Sequence, residues 1–136
     1  MTKMLFAAAA VFAAAAVPAI AQDSAGGITR APMLTSGEQV YATVCQACHM
    51  ADAKGATGAA TIPALAANPR LAGAAYPITV VAGGKGAMPG FSGTLSNAQM
   101  AQVITYVRTH FGNSYAKPVT EAEVAKIAKP PPPPSH

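Results

Sequence analysis

Cys45-Gln46-Ala47-Cys48-His49 limits what this chain can fold into more than any other stretch, and its two cysteines are the only ones among 136 residues. Two thiols three residues apart, on one helical turn, can each add to a vinyl group on the same edge of a porphyrin. The residue after them, His49, then lies under the ring, where an imidazole nitrogen can bind the iron. The spacing therefore points to one covalently attached haem c. Two other uses of such a pair lack their remaining parts. A thioredoxin-like redox pair does not need the histidine and sits after a strand, which this region does not resemble. A zinc site needs four ligands, and the other histidines, His110 and His136, lie far downstream.

The N-terminus supports the same reading. Lys3 supplies a positive start, residues 5–17 form an uninterrupted apolar run, and Pro18-Ala19-Ile20-Ala21 closes it. Ala19 and Ala21 give the A-x-A pattern that signal peptidase reads, so residues 1–21 are expected to be cleaved and Gln22 to begin the mature chain. The run is short of the roughly 20 apolar residues of a membrane span, so no stable membrane insertion is expected after cleavage. Export to the periplasm fits haem attachment, which takes place outside the cytoplasm.

Charge and composition bound the partners and the core. The net charge of +4 falls to +3 without Lys3, with eight basic against five acidic residues. A nucleic-acid binder would cluster its Lys and Arg, so none is expected here. The mature chain is rich in Ala and Gly, with no Trp, which makes a thin core alone. A bound porphyrin would add a large apolar slab to it.

The pattern along the chain is all-α. Residues 22–34 carry Gly26-Gly27 and no usable period, which predicts a flexible leader. A single domain is expected over 35–128. Ser36 reads as an N-cap with Gln39 completing a capping box, opening a helix through Tyr41 and Val44 to the cysteines. Residues 55–67 form a small-residue loop containing Ile62-Pro63-Ala64-Leu65, and Tyr76 to Ala82 is a short helix ended by Gly83-Gly84. The clearest helix starts at Ser96, capped with Gln99. Met100, Val103, Ile104, Val107 and Phe111 make its apolar stripe, and Gly112 stops it. Thr120 and Glu123 cap a last helix over about 121–128. Residues 129–136 form a proline-rich tail that must leave helix for a polyproline extension, expected to be disordered.

The second axial ligand decides what the iron can do. Met88 is the candidate, in Gly84-Lys85-Gly86-Ala87-Met88-Pro89-Gly90-Phe91. The ligand must come from a loop that wraps the face opposite His49, and flanking glycines permit that path. A thioether favours reduced iron, so Met/His ligation raises the potential. Met50 adjoins His49 and cannot reach the other face, Met100 reads as core filler, and Met33 lies in the leader. His110, near a helix C-terminus, stays in reserve.

These residues resemble a class I (mitochondrial-type) cytochrome c over Ser36 to about Asn113. Cys45-x-x-Cys48-His49 and Met88-Pro89 carry the resemblance, with Gly37, Tyr41, Val103 and Tyr106 as weaker matches. It implies a small all-α fold packed around one haem, with the first and last helices crossing at Gly37 beside Tyr106. It also implies that the Pro63 carbonyl accepts the second ring N–H of His49 and that Leu65 packs on the porphyrin.

Met88 to Asn113 is further similar to cytochromes of bacterial periplasmic quinoprotein and alcohol dehydrogenase systems, as is Pro-Val-Thr-x-Ala-x-Val over 118–124. The resemblance implies outer-sphere electron transfer by a non-enzyme carrier, monomeric or a dehydrogenase subunit. A periplasmic dehydrogenase would be the donor, and a terminal oxidase or another cytochrome the acceptor. With Met88 off the iron, a ligand-binding or peroxidase-type haem protein is the alternative, since metal catalysis needs an open position.

Overall fold

The computed structural model describes residues 33–58 and 60–128. The expected signal peptide, most of the leader and the proline-rich tail lie outside the described residues. The first helical stretch begins where expected. It runs through α1 (Gly37–Val40), a π-helical turn at Tyr41–Cys45 and α2 (Gln46–His49). Ser36 Oγ accepts the Gln39 N–H at 3.2 Å, as an N-cap should. The expected capping box is not closed, because Gln39 Oε1 takes the N–H of Thr35 at 2.9 Å rather than that of Ser36.

The π turn was not legible in the sequence. Its closing bond runs from the Gln46 N–H back to the Tyr41 carbonyl, five residues away. One inserted residue rotates the next helical segment by about 100° around the axis. Val40 and Tyr41 can then bury against the rest of the fold while the cysteines and His49 point elsewhere.

The chain is mostly helical but not purely so. Within the expected loop, β1 (Ala56–Thr57) pairs antiparallel with β2 (Thr61–Ile62), in the register Ala56 to Ile62. A run of small residues allows this tight reversal, and two residues per strand leave no alternation to read. A 3₁₀ turn at Pro69–Leu71 leads to α3 (Ala75–Gly83), α4 (Asn97–Thr109) and α5 (Glu121–Ile127). Ser96–Gln99 and Thr120–Glu123 both form complete capping boxes.

The core lies where α4 meets α1, α3 and α5. Met100, Val103, Ile104 and Val107 are buried as the stripe predicts, joined by Val40, Tyr41, Ile78 and Val124. Gly37 marks the tightest approach. A Cβ there would collide with the Gln102 carbonyl and the Tyr106 Cβ, so only glycine lets these two backbones meet. Phe111 departs from the expected stripe. Helix α4 ends at Thr109, and Phe111 takes a positive φ of 57°. His110 is extended, at φ −122° and ψ 178°, and its Nδ1 lies on the Tyr106 carbonyl, so the helix stops before Gly112. Phe111 still reaches the core side, with its ring 4.9 Å from that of Tyr41.

Candidate functional site

Cys45 and Cys48 lie within one turn of the first helical stretch, Cys45 half-buried and Cys48 exposed, both as free thiols. Burial, reinforced by neighbouring Cys48, pushes the Cys45 thiol up to about 11, so it is protonated at neutral pH. His49, one residue on, is only 6% exposed. Its Nδ1 lies 3.1 Å from the Pro63 carbonyl. A carbonyl can only accept, so Nδ1 carries the proton and Nε2 keeps its lone pair. Burial also lowers the His49 pKa, against a smaller opposing effect of the Pro63 carbonyl, and so favours the neutral, ligating imidazole.

Around this imidazole the backbone is closely held. Tyr41 donates its hydroxyl to the Met50 carbonyl at 2.7 Å, tying the start of the helix to its end. Burial is the main reason the Tyr41 phenol is pushed up to about 12, which keeps that donor in place. Pro63 itself is exposed, and Leu65 is half-buried against the core.

Met88 sits in a tight turn between α3 and α4. The turn Lys85-Gly86-Ala87-Met88 is closed by two backbone bonds, Lys85 N–H to Met88 O at 2.9 Å and Met88 N–H to Lys85 O at 3.1 Å. Gly84, at φ 79°, turns the chain out of α3, and Phe91 N–H bonds back to Val81 O at 2.9 Å. Met88 is thus half-buried at the corner of a loop anchored at both ends. Beside it, Lys85 Nζ stands 5.2 Å above the ring of Tyr76, and Arg70 and Lys85 hold the Tyr76 phenol below its ordinary pKa.

The competing residues fall elsewhere. Met100 is buried in the core, and Met33 and Met50 are exposed. His110 is exposed, stacked on Tyr106 with ring centroids 4.1 Å apart. Among the described residues no group of three or more His, Cys, Asp or Glu side chains gathers as a metal cage. The donor set fits a haem instead: paired thiols within one turn, a neutral imidazole with Nε2 free, and a thioether on an anchored loop.

Two buried polar residues were not singled out from the sequence. Arg108 donates to the carbonyls of Leu71 (2.8 Å), Ala72 (3.0 Å) and Lys117. Asn113 donates to Leu65 O and Val107 O and accepts from the Asn68 N–H. Arg108 stands four residues after Ile104, on the apolar stripe, and a charge in that register was the available signal. Asn113 left none, since two of its three partners lie on a loop more than 40 residues away in sequence.

Residues 32–107 match the family described as cytochrome C oxidase, cbb3-type, subunit III. The chain is 34% identical over 104 residues to the cytochrome c subunit of the quinone alcohol dehydrogenase of Gluconacetobacter polyoxogenes. That match covers 67% of this chain and 22% of the relative. It is 33% identical to the gluconate 2-dehydrogenase cytochrome c subunit of Pantoea cypripedii, over 69% of this chain and 24% of that protein. The chain therefore spans about a quarter of the length of these dehydrogenase subunits or less. Cytochrome c6 of Picosynechococcus sp. is matched almost end to end, 34% identical over 84% of this chain and 98% of the relative.

Proposed function

The chain belongs to the cytochrome c family and is a haem c electron-transfer protein, and from that premise we propose which of its residues do the work. Cys45 and Cys48 would hold the porphyrin through their thiols, and His49 and Met88 would supply the nitrogen and sulfur ligands of its iron. The observation that carries this reading is the His49 Nδ1–H held on the Pro63 carbonyl at 3.1 Å, which orients the imidazole and leaves Nε2 for the iron. The bound haem supplies an iron that accepts and releases single electrons without bonding a substrate. With both ligands supplied by the chain, no open position would be left on the iron for catalysis. Leu65, half-buried beside the Pro63 turn, would cover the porphyrin on the His49 side and exclude water.

The signal-like start supports export to the periplasm, with cleavage after Ala21. Among the described residues no helix is long and apolar enough to cross a membrane. Its partners are redox proteins, with a periplasmic dehydrogenase as donor and a terminal oxidase or another cytochrome as acceptor. The end-to-end match to a cytochrome c6 favours a free carrier. A haem-bearing subunit of a dehydrogenase complex is the second reading, favoured by the matched dehydrogenase cytochromes.

Met88→Ala tests the ligand assignment. The parent ferric protein should show the weak near-infrared sulfur-to-iron band and resist cyanide and carbon monoxide at neutral pH. The variant should lose the band, admit both ligands and fall in reduction potential, because axial ligands span about 0.8 V across haem proteins. Met100→Leu, a core change, should leave spectrum and potential in place. A parent that binds carbon monoxide readily would make Met88 the wrong ligand and favour the peroxidase-type alternative.

A further inference from the structure

We propose that Asn113 is a positioning residue for His49, acting through the backbone between them; this rests on His49 being an axial ligand. Asn113 lies four residues past the end of α4 and is 7% exposed. Its amide is fully used. Nδ2 donates to Val107 O at 2.8 Å, on α4, and to Leu65 O at 2.8 Å, on the loop, while Oδ1 accepts the Asn68 N–H at 2.9 Å. Two donors and one acceptor of a single side chain thus fasten residues 65–68 to the C-terminal end of α4.

The fastened loop carries the carbonyl that orients the imidazole. Pro63, two residues before Leu65, accepts the His49 Nδ1–H at 3.1 Å. That carbonyl shares its peptide plane with the Ala64 N–H, so the residues that follow Pro63 set its direction. On the histidine side, the Leu65 and Ala66 N–H groups donate to Ala53 O at 2.7 and 2.9 Å, and Ala53 is fully buried four residues after His49. A Cβ at Gly55 would collide with the Ile62 and Pro63 carbonyls, so the segment cannot retreat in that direction. Asn113 supplies the tie on the opposite side. The Pro63 carbonyl is therefore clamped between the turn after His49 and the end of α4.

The clamp also bears on the iron. An imidazole whose other ring N–H is well bonded is a stronger donor and favours the oxidised metal. Loosening the loop weakens that bond and raises the reduction potential. A residue that only packs would lower stability and leave the potential where it was.

The test compares two holoprotein variants. Asn113→Leu removes the clamp at similar volume. Thr105→Val removes another polar tie of α4, whose hydroxyl accepts the Val119 N–H at 2.9 Å and has no link to the Pro63 loop. Both should lower the melting temperature. Only Asn113→Leu should raise the potential and speed solvent exchange of the His49 Nδ1 proton, by about tenfold in proton NMR, with Met/His absorption retained. Should Asn113→Leu fail to fold, Asn113→Ser, which keeps one hydroxyl, is read in the same way. Unchanged potential and exchange alongside lowered stability would overturn the role. If His49→Ala keeps the parent absorption spectrum, the ligand assignment itself is wrong and the proposal falls with it, an outcome visible without touching Asn113.

Discussion

Arg108 shows how one side chain can hold distant segments together without a counter-charge. At 4% exposure, its guanidinium meets three backbone carbonyls and, among the described residues, no carboxylate. Arginine suits this use because its planar fork presents donors in several fixed directions and cannot lose its proton. The three carbonyls belong to the 3₁₀ turn before α3 and to the segment that leads into α5. Arg108→Met keeps a comparable apolar stem and removes the donors, leaving buried acceptors unpaired. Each such acceptor costs about 1–3 kcal/mol, so denaturant unfolding of the variant should show at least about 2 kcal/mol lost. A smaller change would mean that water replaces the guanidinium.

Two elements meet at Gly37, and the contact leaves no space for a side chain. The positions that a Cβ would meet are the backbone of Gln102 and the Cβ of Tyr106, neither of which can swing aside. Gly37→Val should therefore destabilise the holoprotein by about 1–3 kcal/mol with its haem still attached, measured by thermal melting alongside haem content. At the other end of the fold, α5 depends on a charged cap. The Thr120 N–H donates to Glu123 at 2.9 Å, and with the Thr120 hydroxyl and Lys117 it holds the carboxyl below its ordinary 4.5. A carboxylate with a depressed folded pKa stabilises above its unfolded value and loses that effect as pH falls through the folded one. The parent should melt higher than Glu123→Gln above the ordinary carboxyl range, and the gap should close as pH falls through the lowered folded value. A gap that persists in acid would mean that the charge plays no part.

As a whole molecule, the protein has a small core for its length. Among the described residues, Ile78, Met100, Val40 and Val124 are the largest fully buried side chains, while Leu65, Val81 and Phe91 are only half-buried against them. Covalent haem would supply much of the apolar surface that the alanine- and glycine-rich chain lacks. Replacing both Cys45 and Cys48 by Ala should leave little folded protein by circular dichroism. Intact mass spectrometry of the exported protein should find Gln22 to His136 plus one haem. A Lys3-containing species would contradict the signal cleavage, and zinc in place of haem would contradict the cofactor reading.

The sequence by itself determined what local chemistry can encode. C-x-x-C-H names its cofactor because both attachment points and the adjacent histidine fall within one helical turn. The stripe from Met100 to Val107 and the boxes at Ser96 and Thr120 are set by residues three or four apart, so α4 and α5 were legible in outline. Even there, the end of α4 escaped, because His110 turns extended and its ring takes the Tyr106 carbonyl before the glycine is reached. The π turn at Tyr41–Cys45 was equally hidden, since it answers to packing against α4 rather than to any periodicity. Only the tertiary structure decided the use of Arg108 and Asn113. The Asn113 partners lie between 6 and 48 residues away, and those of Arg108 between 9 and 37. Such bonds exist only once the chain has collapsed and buried carbonyls must find donors, which a linear pattern cannot state.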